Sequence, residues 1–303
     1  MRVAVVIPCY NGARHLKAAI ESVQSQERPP EEILVIDDGS TDNTAQVAQD
    51  AGARVITSAE NRGSACARNL GIANTSAELV AFLDGDDAWT PLHLKTLLPA
   101  FENQRVGLAF GQTARMGTVL SLRTPALLSP KNFFLDLLED NWIGQSAVVA
   151  RRDALLRSGS YRTGARYAED YDLWLRMSLE YEFVTTTAPT CLRRLHPKQL
   201  SRNNAAFVMA AFTARQGALS LASRLGVSVP PDHVQASLIR AARLELENAR
   251  YSGDWSTVEE VCKAIELFPA LEPEVLAWRD RHRPRWLMYR LVAILRRRLK
   301  RSA

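Results

Sequence analysis

Through its first hundred residues the chain alternates short apolar runs with stretches of helical period. "RVAVVI" (Arg2–Ile7) predicts a buried strand, and Leu16, Ala19, Ile20 and Val23 recur at the spacing of one helix face within Ala13–Gln26. Glu32–Ile36, Arg54–Thr57 and Leu79–Leu83 predict three more strands. Helices are expected between them over Thr41–Ala51 and from Ser64, read as an N-cap, to Asn74. Another helix is expected near Pro91–Asn103. This βα rhythm implies a parallel sheet with helices on both faces. From Val106 to Asn203 the pattern loosens, with strands expected at Gly107–Gln112, Ser146–Ala150 and Glu182–Thr186 and a helix over Glu169–Glu180. Beyond Ala205, Ala- and Leu-rich helical runs take over, broken at Gly226 and Pro230–Pro231, and Ser256 with Glu259 has the spacing of a capping box. The expected division is an α/β domain over residues 1–204, a helical region over 205–283 and a tail over 284–303.

Sheets of this kind bind ligands beyond the carboxyl ends of their strands, so the residues just past each strand carry the functional signal. The first strand runs into "PCYNG" (Pro8–Gly12), which lacks the glycine pattern of a dinucleotide site and so counts against NAD or FAD. The second ends in "DDGSTD" (Asp37–Asp42). A carboxylate there can hydrogen-bond a ribose hydroxyl or a base edge, although Ser40, Thr41 and Asp42 could instead cap the next helix. The third leads into "NRGSACARNLG" (Asn61–Gly71), a turn and helix start whose free N–H groups favour phosphate. Arg68 near that start could add a charge-assisted contact, or lie on a solvated helix face. The fourth ends in "FLDGDD" (Phe82–Asp87), with three carboxylates in four positions. Like charges this close repel unless a cation lies between them. Asp84 and Asp86 can reach the same side of a turn and share a divalent cation, and an acidic loop capping the helix at Pro91 is the alternative. A calcium loop of the EF-hand type is excluded, because Trp89 stands where that loop needs glycine.

Composition narrows the class. The chain has 303 residues, 47% hydrophobic and 23% charged, as an ordinary globular protein does. Its four cysteines are far apart and none are paired as CxxC, which argues against a disulfide framework or a zinc cluster. The first twelve residues do not have the form of a signal peptide, and no stretch reaches the roughly 20 apolar residues of a membrane span. The expected location is the cytoplasm. The net charge of +5 comes from the end of the chain: without the nine Arg and Lys residues beyond Asp280, the 38 basic residues fall to 29 against 33 acidic. That balance argues against a nucleic-acid groove across the body. The end itself, "RPRWLMYRLVAILRRRLKR" (Arg283–Arg301), joins aromatic anchors to a dense basic run, as in segments that lie in an anionic membrane interface.

"VVIPCYNG", "ILVIDDGSTDNT", "NRGSACARNLGIA" and "FLDGDDAW" resemble, in sequence and in order, the motifs of the family 2 glycosyltransferases with the GT-A fold. The likeness covers about the first 200 residues. It implies a Rossmann-like mixed, mainly parallel sheet flanked by helices and followed by a helical region. It also implies metal-assisted transfer of a hexosyl group from a UDP-, GDP- or dTDP-linked donor, with inversion, to a glycan or lipid-linked acceptor in cell-surface polysaccharide biosynthesis. Such an enzyme would be cytoplasmic, or peripheral at the inner face of the membrane. By this resemblance Pro8, Tyr10 and Asn11 line the nucleotide pocket, Asp38 contacts base or ribose, Arg68 lies near the diphosphate, and Asp84 and Gly85 border the donor. Asp84 and Asp86 bind Mg²⁺ or Mn²⁺, with Asp87 as an alternative ligand. The family's later acidic pair is supplied by "YAEDYDLWLR" (Tyr167–Arg176), with Asp170 as catalytic base beside Glu169, and its His-Pro element by His196, which reaches the metal or donor phosphate.

Direct displacement with inversion needs a carboxylate to take the acceptor proton and a cation to stabilise the departing diphosphate. A sugar-phosphate nucleotidyltransferase is a competing reading, but such enzymes usually open with a Gly-rich basic loop, and "PCYNGARH" is not one. A catalytically inactive relative acting as a binding protein is another, and the presence of Asp84, Asp86 and Asp170 speaks against it. Between Val106 and Gln145 no motif identifies the acceptor; Trp142 is either a stacking surface or a core residue.

Overall fold

The computed structural model describes residues 1–116, 133–164, 167–194 and 204–282. His196 and the basic tail lie outside the described residues. The chain divides into two compact units, Met1–Leu137 with Asn141–Gln199, and Leu138–Asp140 with Leu200–Ala303.

The first unit is built on an eight-stranded mixed sheet. Its parallel half comprises β1 (Val3–Cys9), α1 (Ala13–Gln24), β2 (Glu32–Asp37), α2 (Thr44–Asp50), β3 (Arg54–Thr57), α3 (Ser64–Ala73) and β4 (Leu79–Phe82). Then come β5 (Ala88–Trp89), α4 (His93–Leu97), β6 (Val106–Arg115), α5 (Phe133–Glu139), β7 (Val148–Arg151), α6 (Arg152–Arg157), α7 (Glu169–Met177) and β8 (Glu182–Arg193). The order across the sheet is β3-β2-β1-β4-β7-β6-β8-β5. β7 runs antiparallel to both β4 and β6, and β6 pairs parallel with β8. Val3–Ile7 and Leu79–Phe82 are fully buried along their whole length, the continuous apolar pattern of strands covered on both faces. α1 buries Leu16, Ala19, Ile20 and Val23, the face that the spacing predicts.

Several boundaries differ from the sequence expectation. α2 begins at Thr44 rather than Thr41, because Asn11 takes the Thr41 amide and Asp42 the Thr44 amide before the helix starts. The helix expected over Pro91–Asn103 splits into α4 and a 3₁₀ turn over Leu98–Glu102, since Pro99 has no N–H to continue an α-helix. Gly63 rather than Ser64 holds the N-cap of α3, in a left-handed conformation (φ +90°) that suits glycine. α7 ends at Met177, and β8 extends to Arg193, well past Thr186.

Gly71 sets how closely α3 lies on the sheet: a Cβ there would stand 2.3 Å from Val6 Cγ1 in β1. Gly71→Ala is therefore an overpacking substitution. It is expected to destabilise the unit by about 1–3 kcal/mol, read as a lowered urea midpoint.

The second unit is helical: α8 (Asn204–Arg224), α9 (Pro231–Ser252), α10 (Trp255–Leu267) and α11 (Glu272–Arg281). Proline opens α9 at its first turn and Gly253 ends it at φ +69°. The cap of α10 is Asp254, whose carboxylate accepts from the Thr257 amide, so the cap lies two residues before Ser256. α8 is long and apolar enough, by length and composition alone, to cross a membrane over Ala205–Arg224, contrary to the expectation of no such stretch. Of that stretch 39% is buried: Val208 and Phe212 belong to the helical core, and the buried Arg215 donates to the carbonyls of Leu138 and Glu139.

Candidate active site

The carboxyl ends of the parallel strands are stitched to one another by short polar contacts. Asn11, just past β1, sits at φ +51°, a left-handed conformation that asparagine tolerates. Its N–H donates to Ser40 Oγ (2.8 Å), and its Oδ1 accepts from the Thr41 N–H (2.8 Å), tying the first loop to the second. Asp38, buried, accepts from the Arg62 N–H (3.1 Å) and the Gly63 N–H (2.7 Å), which draws the third loop onto the second. The side chain read as a base or ribose contact is thus engaged in holding the third loop on the second. Tyr10, by contrast, leaves 49% of its surface in solvent. Pro8 is half-buried within β1. Beneath them lies Cys9, whose thiol is pushed up to about 12 by burial and by Asp37, Asp42 and Asp86, which makes it no nucleophile. Gly85 is packed over it, with a Cβ position 3.0 Å from its sulfur.

Arg68 joins the two acidic motifs. Its side chain is only 6% exposed, and it donates to Asp84 Oδ1 and Glu169 Oε1, both at 2.9 Å, with its guanidinium 5.5 Å from the centre of the Tyr161 ring. Burial works against that charge, but the neighbouring groups, Asp84 foremost, more than offset it and hold the guanidinium above its ordinary value. Glu169 also accepts from Ser64 Oγ (2.5 Å) at the first position of α3. The sequence places Arg68 near a diphosphate; the fold seats it between Asp84 and Glu169, the second of them 101 residues from it in the chain, and no local pattern foretells that pairing.

Asp170 lies beside Glu169 in the first turn of α7, after Ala168 in a left-handed conformation (φ +57°). Its carboxyl is pushed up to about 7, first by burial and then by the charge of Glu169, with Arg68 pulling the other way. A carboxylate poised near neutrality is what a general base requires.

The "DGDD" turn is held from outside by residues that sequence reading misses. Asp87 is buried, accepting from Ser146 Oγ (2.7 Å) and the Arg194 N–H (3.0 Å). Burial, then Asp84 and Asp86, push its carboxyl up to about 7, so negative charge on this turn is under-compensated. Among the described residues no group of three or more His, Cys, Asp or Glu side chains is arranged to hold a metal ion. Mg²⁺ and similar ions need only one or two carboxylates when phosphate oxygens and water complete the shell. Asp84, 35% exposed with its Oδ1 on Arg68, and Asp86 beside it on the turn supply oxygen donors of that kind. Trp142 donates from Nε1 to the Asp136 carbonyl (3.2 Å) and is half-buried.

Comparison with known proteins gives the context of this geometry. The model of glycosyl transferase family 2 matches residues 4–161. A UDP-Glc:alpha-D-GlcNAc-diphosphoundecaprenol beta-1,3-glucosyltransferase of Escherichia coli is 30% identical over 176 residues, 57% of this chain and 68% of that protein. The chain spans 34% of the length of an uncharacterized glycosyltransferase of Nostoc sp., 39% identical over 111 residues, and 62% of an uncharacterized protein of Mycobacterium tuberculosis. Among solved structures, TarS of S. aureus in complex with UDP-GlcNAc superposes with a TM-score of 0.69 at 16% identity, covering 96% of this chain and 92% of that one. A mannosyltransferase of Pyrobaculum calidifontis in complex with GDP-Man and Mn²⁺ gives 0.57 at 17% identity, over 91% and 85%. At these identities the structural likeness is one of fold, and the fold is GT-A.

Proposed function

The chain belongs to glycosyl transferase family 2, and from that premise we propose that it transfers a hexosyl group from a nucleotide-sugar to a hydroxyl of a glycan or lipid-linked acceptor, with inversion. The observation that carries this reading is the Arg68 bridge, which joins Asp84 of the strand-four turn to Glu169, the neighbour of Asp170. A donor diphosphate at the turn and an acceptor hydroxyl at Asp170 would then share one electrostatic unit. Tyr10, exposed beside Pro8 and Asn11, offers a ring for the base, and Asp38 shapes the nucleotide end through the loop it closes. Gly85 keeps the floor of the turn open above Cys9. Asp84 and Asp86 would hold a divalent ion, Mg²⁺ or Mn²⁺, whose chemistry there is neutralisation of the leaving diphosphate. Asp87 faces inward and supports the turn rather than binding the ion. Asp170 takes the acceptor proton as the new glycosidic bond forms, so a single displacement inverts the anomeric carbon.

The printed name of the E. coli relative carries a lipid diphosphate acceptor. An acceptor of that kind would bring this chain to the inner face of the membrane in the assembly of a cell-surface polysaccharide, with residues 284–303 as the basic contact. UDP-, GDP- and dTDP-sugars incubated in turn with the chain and Mn²⁺ test the activity. One donor is expected to release its nucleoside diphosphate. Asp86→Asn should slow that release about 10- to 100-fold, the equivalent of one charge-assisted contact. Release from none of the donors, or release unaffected by the substitution, overturns the reading.

A further inference from the structure

Ser146 lies in a 3₁₀ turn (Gln145–Ala147) that leads into β7, the strand paired antiparallel to β4. Its buried hydroxyl touches both ends of the Asp84–Asp87 turn: it accepts from the Asp84 N–H (3.1 Å) and donates to Asp87 Oδ2 (2.7 Å). Its carbonyl accepts from Trp89 Nε1 (2.6 Å), just beyond the turn. The turn is closed internally by the Asp87 N–H on the Asp84 carbonyl (3.0 Å). On its far side Arg194 donates from its backbone to Asp87 Oδ1 (3.0 Å) and from Nε to the Asp86 carbonyl (3.1 Å).

We infer that Ser146 is a positioning residue: with Asp87 as its partner, it fixes the backbone of the turn so that Asp84 and Asp86 are preset for a divalent ion and a diphosphate. The inference rests on the proposed role of Asp84 and Asp86 as metal ligands. A hydroxyl can accept from an amide and donate to a carboxylate through one atom, and the Asp87 carboxylate that it serves is buried, so its loss leaves that group short of a partner. Groups that orient metal ligands without touching the ion commonly govern affinity by about 10- to 100-fold. The third aspartate of "DGDD" is then the handle by which the sheet grips the turn. This explains why it points away from the solvent side that a ligand would need.

The test is calorimetric titration of the full chain with UDP, GDP or dTDP, whichever binds the wild type most tightly in Mn²⁺, with the metal present and with it chelated. Ser146→Ala is expected to weaken the Mn²⁺-dependent binding about 10- to 100-fold, to leave binding without metal unchanged, and to be rescued by Ser146→Thr, which keeps the hydroxyl. Affinity within about twofold of wild type overturns the inference, as does an equal loss with and without Mn²⁺, which would mean general damage rather than a preset metal turn. If Ser146→Ala does not fold, Ser146→Cys keeps the volume with weak hydrogen bonding and is read in the same way. A wild type whose nucleotide binding ignores Mn²⁺ overturns the metal reading and this inference together. A wild type that needs Mn²⁺ beside an unaffected Ser146→Ala overturns this inference alone.

Discussion

Asp170→Asn is expected to slow sugar transfer by about 100- to 10,000-fold, the range of a lost general base, with Mn²⁺-dependent nucleotide binding unchanged. Asparagine keeps the shape and the oxygen that accepts from the Tyr171 N–H (2.7 Å), so the first turn of α7 has no reason to move. What it removes is the capacity to hold a proton taken from the acceptor. Because burial and Glu169 raise this carboxyl, the base is only part-ionised at neutral pH. It acts when ionised, so kcat/KM of the wild type should fall as pH drops through about 7, tenfold per unit once the proton is bound, and level off above. That limb belongs to the Glu169–Asp170 pair rather than to one residue. The residual activity of Asp170→Asn should lack it. A variant that transfers at the wild-type rate, or keeps the same acid limb, removes Asp170 from the role of base.

The parts of this architecture legible in the sequence are those that local pattern dictates. Val3–Ile7 and Leu79–Phe82 are continuous apolar runs because both faces are covered, and a parallel sheet gathers the loops after its strands at one edge. The motifs at the strand ends could therefore be read in order. What escaped depends on partners distant in the chain. β5 is two residues long and exists because Ala88 and Trp89 find Leu192 and Cys191 of β8, a pairing with no local signature. β8 runs on through a Pro- and Thr-containing stretch because β6 supplies its register through Gln112–Arg115. Ser146, in the turn that leads into β7, meets Asp87 at a separation of 59 residues. Ser64 has the composition of a cap, but its hydroxyl goes to Glu169 instead, 105 residues away. Reading strand ends finds the acidic residues of the site; it cannot find the neutral ones that aim them.

The largest effect on stability is expected from Arg68→Met. Methionine fills much of the same volume but leaves Asp84 and Glu169 without their shared cation. Removing one partner of a buried ion pair costs about 3–5 kcal/mol. Asp84 remains 35% exposed against 12% for Glu169, so solvent screens part of the loss and the low end, about 3 kcal/mol, is expected at pH 8 in metal-free buffer. The pH dependence has a definite sign. Arg68 lowers the Asp170 carboxyl against the upward push of burial and Glu169, so its removal lets that carboxyl rise further above its unfolded value. A carboxyl raised in the folded state favours folding while it stays protonated, and that contribution is lost as pH rises through the folded pKa. The destabilisation of Arg68→Met, measured by urea unfolding, should therefore be smaller at pH 5 than at pH 8. The acid limb of its remaining activity should lie at higher pH than in the wild type. An unfolding midpoint that matches wild type at both pH values would mean that the guanidinium is not the counter-charge on which this acidic centre depends.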